Sequence, residues 1–285
     1  MRDTHLNTAQ LFQRKPSTTS SPGPLIVLFH GGGFAVGSPI QFTLLARSLV
    51  SLLPCTVISA AYRLAPETPF PTPAQDAWDT LSHLASHPPP GVDLARGFII
   101  GGASSGANLA AVVAQLAQTH NLSPPLTGQF LSLPLIFPSE ESVPESYREM
   151  YTSISLNDKD PIQSLPSLHA ILRRYAPNPR SPLFSPVNSL SFDPAKLPKT
   201  YIQVCGLDPL RDDGIIYEKL LREEGGVATR LDVYEKFPHG WWLFMPGLRS
   251  SGEAVGDMVR GVGWLLGVEV DAGRVRGGND ESSAG

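Results

Sequence analysis

The stretch Gly97-Phe-Ile-Ile-Gly-Gly-Ala-Ser104-Ser-Gly-Ala-Asn-Leu-Ala-Ala111 is the part of the chain around which the rest is organised. It opens with a short apolar run between glycines, at residues 98–100, which predicts a buried strand. Residues 107–118 are rich in Ala, Leu and Gln, with apolar side chains at helical spacing, and predict a helix. Between the two lies Gly-x-Ser104-x-Gly, which has the spacing of a nucleophile elbow.

A nucleophile elbow has physical requirements that this stretch meets. A serine on a sharp strand-to-helix turn adopts strained backbone angles, and a Cβ two residues before or after it would crowd the turn. Glycine stands at both places, as Gly102 and Gly106. The pentapeptide alone is a weak signal, and the predicted strand before it and helix after it make Ser104 the candidate nucleophile.

The composition is that of an ordinary globular protein. Of the 285 residues, 41% are hydrophobic and 17% charged, which suits one large α/β domain or two small ones. A net charge of −4 without a basic run argues against a nucleic-acid or membrane partner. We see no signal peptide or membrane-spanning run, and Cys55 and Cys205 fall in predicted strands, so we expect a cytoplasmic, reduced protein.

Strand and helix patterns alternate along most of the chain. Apolar runs predict strands at residues 25–29, 56–61, 98–100, 129–137, 199–205 and 229–234. Helical patterns lie between or after them, at residues 42–53, 74–86, 107–118, 212–224 and 252–266. This alternation predicts an α/β fold with a mostly parallel central sheet that carries helices on both faces.

Three segments depart from the alternating pattern. Residues 1–24 are polar and end in a Pro- and Ser-rich run, so we expect a flexible segment in which only 9–14 could form a strand. Residues 139–198 are rich in Pro and Ser, with one helix at 161–175; they predict a cap inserted into a domain that spans 25–270. The polar, Gly-rich residues 271–285 predict a disordered tail.

A nucleophilic serine needs a base to take its proton and a carboxylate to orient that base. In doubly wound hydrolases the carboxylate and then the histidine follow the serine, each on a turn after a later strand. His239 lies just past the last predicted strand, whereas His169 falls inside the cap helix. Asp208 stands first on the turn after the strand at 199–205, whereas the alternative, Asp212, suits a helix start. The sequence therefore predicts Asp208 and His239 as the partners of the serine.

The sequence His30-Gly-Gly-Gly33 is a candidate oxyanion loop. Successive glycines let backbone N–H groups point inward, so we expect those of Gly32, Gly33 and Ser105 to bind an oxyanion, while His30 organises the loop. A glycine-rich phosphate loop is the alternative, but neither phosphate-loop spacing occurs. No Cys/His cluster has the spacing of metal ligands, so we expect no metal and no cofactor.

Aromatic side chains follow two of these motifs directly. Phe34 follows the glycine run, and Trp241 and Trp242 follow the base at 239–240. Aromatics at these places would line a substrate pocket, and ordinary core packing is the alternative for each.

Together these motifs resemble the hormone-sensitive-lipase-like branch of the α/β-hydrolases, the alpha/beta hydrolase fold-3 esterases. The resemblance covers residues 25–266, and its motifs stand in order: His-Gly-Gly-Gly-Phe at 30–34, Tyr-Arg-Leu-Ala-Pro-Glu at 62–67, Gly-x-Ser-x-Gly-x-Asn-Leu-Ala at 102–110, Asp-Pro-Leu-Arg-Asp at 208–212 and His-Gly at 239–240.

The resemblance implies an α/β-hydrolase fold with a cap and a function for each motif. The family's triad falls on Ser104, Asp208 and His239, and its oxyanion donors fall on the N–H groups of 32, 33 and 105. Its members mostly hydrolyse esters of short acyl chains or hydrophobic alcohols. Its sheet order places Cys55 and Cys205 about four strands apart, on the order of 19 Å, which is too far for a disulfide.

The chain departs from the family pattern in three places. Ala103 stands where the family has Asp, Ser105 replaces the usual Ala, and only 24 residues precede Leu25, where members carry a cap segment and two strands. Either the gene product is truncated or the cap is built mainly from 139–198. We expect a shortened N-terminal cap and, from that shortening, a more open pocket that suits a bulky substrate.

The sequence thus predicts a serine carboxylesterase that acts on a small or medium hydrophobic metabolite through an acyl-enzyme on Ser104. An acyltransferase, amidase or cyclase would use the same three residues, and a silent small-molecule receptor is the alternative from another class. The expected partner is a small-molecule ester, and a homodimer stays open.

Overall fold

The computed structural model describes residues 4–15 and 21–274. Within them, seven strands form one sheet in the order β1-β3-β2-β4-β5-β6-β7, and all neighbours run parallel except β1 and β3. The strands are β1 Ala9–Phe12, β2 Leu25–Phe29, β3 Thr56–Ala60, β4 Phe98–Ala103, β5 Gly128–Ser132, β6 Lys199–Cys205 and β7 Thr229–Tyr234. The predicted α/β fold with a mostly parallel sheet is confirmed.

Helices cover both faces of the sheet. They are α1 Thr43–Leu52, α2 Thr72–Ser86, α3 Ser105–Thr119, α4 Ser153–Leu156, α5 Leu165–Tyr175, α6 Arg211–Lys219, α7 Trp241–Phe244 and α8 Arg249–Leu265. Helices α1 and α8 pack on one face, and α2, α3 and α6 pack on the other. None of the described helices combines the length and the apolar character needed to cross a lipid bilayer.

The central strands are buried on both faces, which is why their sequences are continuous apolar runs. Every residue of β2 and of β3 is buried. Cys55 precedes β3 and Cys205 ends β6, four strands away; both thiols are buried and free, and burial raises the pKa of each.

The N-terminal segment contributes an edge strand that the predicted domain boundary at residue 25 leaves out. Strand β1 pairs antiparallel with β3, and Ala9 faces Ala60 at one end of the ladder. Its side chains alternate between exposed and half-buried, so an edge strand of four residues gives only a short apolar signal. The expected flexible segment 1–24 therefore includes part of the sheet, and its residues 1–3 and 16–20 lie outside the described residues.

The first residues of the expected disordered tail are part of the fold. Residues Ala272–Arg274 form a short 3-10 turn, and Ala272 is buried in the cluster that α1 and α8 make with the sheet. The rest of the expected disordered tail, residues 275–285, lies outside the described residues.

Strand β5 is shorter than its apolar run. The sequence predicts a strand at residues 129–137, but the strand ends at Ser132, and Leu133 has a φ of 54°. The chain then leaves the sheet, and the buried carboxylate of Asp213 accepts the N–H groups of Ile136 (2.7 Å) and Phe137 (2.8 Å) in place of a neighbouring strand. The apolar residues continue because this exit is buried, and a buried run has the same pattern in a strand or a loop.

Residues 133–198, all of which are described, contain no strand. They include α4, α5 and several 3-10 turns, one helix more than the sequence predicts. The expected helix at 161–175 begins at Leu165 because Ser164 caps it, accepting the Ser167 N–H. Helix α5 packs towards the ends of β2 and β4 and covers the site described next.

Candidate active site

Ser104 lies between the last residue of β4 and the first residue of α3, with φ 53° and ψ −120°. This is the left-handed, strained conformation that a nucleophile elbow requires. A Cβ on Gly102 would overlap the carbonyl of Gly106, and a Cβ on Gly106 would overlap the carbonyl oxygen of Phe29. Glycine at both places therefore lets the turn close against β2.

The structure brings Ser104, His239 and Asp208 together in a hydrogen-bonded chain. Nε2 of His239 lies 2.9 Å from Oγ of Ser104, and Nδ1 of His239 lies 2.6 Å from Oδ2 of Asp208. Asp208 is fully buried and His239 is 6% exposed, so the chain is shielded from water. This arrangement matches that of a serine nucleophile, its base and an orienting carboxylate.

The electrostatics of the site raise the pKa of His239. Burial lowers the pKa of His239, but the charge and hydrogen bond of Asp208, together with the charge of Asp160, raise it above its ordinary value. The site therefore stabilises the imidazolium that would form when His239 takes the Ser104 proton.

Asp208, rather than Asp212, faces His239. Its Oδ1 accepts the N–H of Leu210 (2.8 Å), and Asn157 of the cap donates to its backbone carbonyl (3.0 Å), so both the side chain and the backbone of Asp208 are held in place. Oδ2 of Asp212 instead accepts the N–H groups of Thr152 and Ser153, both at 2.7 Å, and anchors the cap.

The glycine loop lies beside the nucleophile. Gly32 and Gly33 have φ values of 122° and 62°, and within the described residues their N–H groups donate to no protein acceptor. The N–H of Ser105 is the first of α3, so it has no acceptor within the helix. Gly33 and Ser105 line the cavity next to Ser104, and Gly32 does not.

His30 organises this loop, as the sequence predicts. Its ring is buried and stacks on Tyr62 with centroids 4.4 Å apart, and its Nδ1 lies 2.8 Å from the carbonyl oxygen of Gly31. The Tyr62 hydroxyl donates to the His30 carbonyl (2.8 Å) and lies 3.3 Å from Oγ of Ser105. The serine at 105, a departure from the family pattern, thus joins the elbow to the Tyr-Arg-Leu-Ala-Pro-Glu segment.

The cavity next to Ser104 is small. Its volume of about 10 Å³ is room for a single water molecule. Its walls are formed by Gly33, Phe34, Ser104, Ser105, Leu135, Gln163, Leu168, Ile171, Leu172 and Leu210. The expected open pocket is therefore wrong for this structure, because α5 of the cap lies over the nucleophile and its aliphatic side chains fill the space.

The three predicted pocket aromatics have different positions. Phe34 lines the cavity and stacks on Tyr175 of α5, with ring centroids 3.9 Å apart. Trp241 and Trp242 do not line it: Trp241 is fully buried and stacks on Phe237 at 4.3 Å, and Trp242 packs against its edge. The αL conformation of Gly240 turns the chain at this point, so the tryptophans that follow it pack behind the base.

Sequence reasoning missed the residues that the cap contributes. Asp160 accepts the His239 N–H, and Gln163, Leu168 and Ile171 line the cavity. None of these residues belongs to a motif. The sequence predicted a cap helix, but its pattern did not indicate which face of that helix lies against Ser104.

Within residues 4–15 and 21–274, no group of three His, Cys, Asp or Glu side chains is placed to hold a metal ion.

Comparison with known families agrees with this geometry. A sequence model described as the alpha/beta hydrolase fold matches residues 26–243. The fold and the site define the chain as an α/β-hydrolase. Within that class it belongs to the hormone-sensitive-lipase-like, fold-3 family of esterases, and it is an enzyme of that family.

Several curated relatives are similar over most of the chain. An AB hydrolase superfamily protein of Schizosaccharomyces pombe is 35% identical over 246 residues, which is 85% of this chain and 71% of the relative. Esterase LipI of Mycobacterium tuberculosis is 35% identical, over 76% of this chain and 65% of its own. A versiconal hemiacetal acetate esterase of Dothistroma septosporum is 30% identical, over 86% of this chain and 74% of its own.

The solved structures with the same fold include enzymes whose names give different reactions, a cyclase and an esterase. Vibralactone cyclase superposes with a TM-score of 0.82 at 27% identity, covering 92% of this chain and 80% of its own. A bacterial heroin esterase superposes with a TM-score of 0.76 at 28% identity, covering 90% of this chain and 79% of its own.

Proposed function

We propose that the protein is a serine carboxylesterase that works through an acyl-enzyme on Ser104. The observation that carries this proposal is the hydrogen-bonded chain from Oγ of Ser104 through His239 to Asp208, with distances of 2.9 and 2.6 Å. This is the arrangement that lets a neutral imidazole take the serine proton as the hydroxyl attacks a carbonyl.

The reaction proceeds in two halves. Nε2 of His239 takes the Ser104 proton, and Oγ attacks the ester carbonyl carbon, so that the carbonyl oxygen becomes an oxyanion. The N–H groups of Gly32, Gly33 and Ser105 stabilise that oxyanion. The imidazolium then gives its proton to the departing alcohol, which leaves the acyl group on Oγ. Water, deprotonated by the same imidazole, attacks the acyl carbon. The bond between that carbon and Oγ then breaks, His239 returns the proton to Oγ, and the acid leaves.

We propose a small acyl group as the part of the substrate that enters the cavity. The walls from Leu135, Leu168, Ile171 and Leu210 are apolar, and the space beside Ser104 takes about one water molecule. The names of two relatives, an acetate esterase and a heroin esterase, are consistent with esters of small acids and larger hydrophobic alcohols. The proposed substrate is an ester of this kind, formed from a hydrophobic metabolite.

A fluorophosphonate probe with mass mapping of the modified peptide tests the nucleophile. We expect labelling at Ser104, no labelling in His239→Ala, and a loss of kcat of at least about 10³-fold in Ser104→Ala. Ser155→Ala, at an exposed cap serine, is the matched control and keeps full activity. A folded wild-type protein that is not labelled would contradict the proposal and favour the receptor alternative.

A cyclase or acyl transferase is the second candidate, because the chain superposes on vibralactone cyclase. In that case the acyl carbon is attacked by a hydroxyl of the same substrate or by an added alcohol instead of water. Product analysis distinguishes the two: with substrates that carry a free hydroxyl, a lactone or a transfer ester in place of the acid would favour this candidate.

A further inference from the structure

Asp160 lies in the cap between α4 and α5, and its carboxylate is buried, with the residue 5% exposed. Its Oδ2 accepts the backbone N–H of His239 at 2.7 Å. Its Oδ1 accepts the N–H groups of Ile162 (2.7 Å) and Gln163 (2.8 Å). Three charge-assisted hydrogen bonds offset the cost of burying the carboxylate, and one of them joins the cap to the turn that carries the base.

His239 is thus held by carboxylates from two different parts of the fold. Asp208, on the core, binds Nδ1 of the ring, and Asp160, on the cap, binds the backbone N–H. Among the described residues, the hydroxyl of Ser104 also lies within hydrogen-bonding distance of His239. The thiol of Cys205 interacts with the same two carboxylates, and burial keeps it protonated by raising its pKa. Burial lowers the pKa of His239, and the two carboxylates outweigh that effect.

The same loop forms part of the cavity wall. Gln163 donates its N–H to Asp160, lines the cavity beside Ser104, and donates from Nε2 to Oγ of Ser167 on α5 at 2.9 Å. The position of the cap wall and the position of the base therefore depend on one buried carboxylate.

We propose that Asp160 is a positioning residue for His239, which makes the geometry of the base depend on a seated cap. This inference rests on the proposed function, in which His239 deprotonates Ser104. When the cap lifts, the His239 N–H loses its acceptor and a negative charge moves away from the imidazole. An open enzyme would then hold a misplaced base, and closure of the cap over a substrate would restore it.

The variant Asp160→Asn distinguishes the positioning of His239 from the support that Asp160 gives to its own loop. Asparagine has one acceptor oxygen, so it can serve the N–H groups of Ile162 and Gln163 or that of His239, but not both, and it carries no charge. The matched control is Asp193→Asn. Asp193 lies in the same cap segment, accepts the N–H of Ala195 at 3.1 Å and pairs with Lys196 at 3.3 Å, and among the described residues no hydrogen bond joins it to His239.

We expect Asp160→Asn to lower kcat about 10- to 100-fold while KM changes much less, because the base is displaced after substrate has bound. The acidic limb of kcat/KM should move to lower pH, since loss of a nearby negative charge lowers the pKa of His239. Asp193→Asn should change neither quantity. Rates are expressed per site labelled by the fluorophosphonate, so a smaller folded fraction does not count as lost activity.

The second variant, Asp160→Glu, keeps the proposal testable if Asp160→Asn does not fold. It keeps the negative charge and moves the oxygen, so we expect a lower kcat with an acidic limb close to that of the wild type. The proposal would be overturned if Asp160→Asn had the kcat and the acidic limb of the wild type, whatever its melting temperature. If wild-type Ser104 is labelled and this variant behaves normally, only the role of Asp160 fails. If wild-type Ser104 is not labelled, both proposals fail.

Discussion

Ile171 closes the cavity beside Ser104 from the cap side. A Cβ on Gly33 would overlap the Ile171 side chain, so this isoleucine lies directly against the glycine loop. Its neighbours on α5, Leu168 and Leu172, line the same cavity. The space available to an acyl group therefore depends on single side chains of one cap helix.

We expect Ile171→Ala to widen the range of acyl chains. Removing the branched side chain should raise kcat/KM for p-nitrophenyl octanoate relative to the acetate by about tenfold or more, since one or two methylenes of pocket space have effects of that size. Leu156→Ala removes an aliphatic side chain that is 69% exposed on the same cap, and it is the control. An identical selectivity in the two variants would show that Ile171 does not limit the acyl group.

At the scale of single residues, the sequence predicted the three members of the candidate triad because each lies on a turn that follows a strand. Ser104, Asp208 and His239 were recognisable from local patterns of strand, glycine and proline, and the structure places their side chains within hydrogen-bonding distance. Trp241 was misjudged because its side chain direction depends on the turn at Gly240, which is decided by packing against Phe237 and Tyr234.

At the scale of elements, α8 approaches the sheet through Gly261. A Cβ at this position would overlap the ring of Tyr201 on β6. That ring is fully buried, and its hydroxyl donates to Asp232 (2.6 Å) and accepts from Gln203 (2.8 Å). Tyr201 is held in place by these bonds, so the helix can pack this closely only where no side chain intervenes.

We expect Gly261→Ala to lower the free energy of unfolding by about 1–3 kcal/mol, as overpacking of a filled core does. Gly256 lies on the same helix, and a Cβ there would be 3.6 Å from its nearest neighbour, an ordinary contact. Gly256→Ala should therefore stabilise the helix by about 0.5–1 kcal/mol. Urea unfolding of both variants measures the difference, and equal stabilities would refute the close approach of α8.

At the scale of the whole molecule, two adjacent carboxylates at the start of α6 fasten the cap to the core. Asp212 binds the backbone of Thr152 and Ser153, and Asp213 binds the chain where it leaves β5 as well as the hydroxyl of Tyr151 (3.1 Å). The sequence predicted a helix from residue 212, and α6 begins at Arg211. The carboxylate of Asp212 pairs with Arg211 of the same helix (2.7 Å) and also binds the cap, whereas the carboxylate of Asp213 binds other segments of the chain.

The attachment through Asp213 makes stability depend on pH. Burial raises the pKa of Asp213 from 3.8 to about 7. The folded state therefore retains a proton that the unfolded state has released. The resulting stabilisation is complete below pH 3.8 and is lost as the pH rises through about 7.

We expect Asp213→Asn to remove this dependence, because the amide is neutral at every pH. Its oxygen can accept both N–H groups, and its nitrogen can donate to Tyr151. The melting temperature of the wild type should fall relative to that of the variant between pH 4.5 and pH 8, as followed by circular dichroism. A difference between the two that stays constant over this range would contradict the raised pKa.

The sequence alone determined the fold class, the order of the strands along the chain and the place of the nucleophile elbow. These features are local: strand and helix periods, and glycines beside a strained serine, are visible within a few residues of each other. Only the tertiary structure decided the edge position of β1, the early end of β5 and the closed cavity. Each of these depends on segments far apart in the chain, such as Ile171 against Gly33 or Asp160 against His239, whose packing no local pattern records.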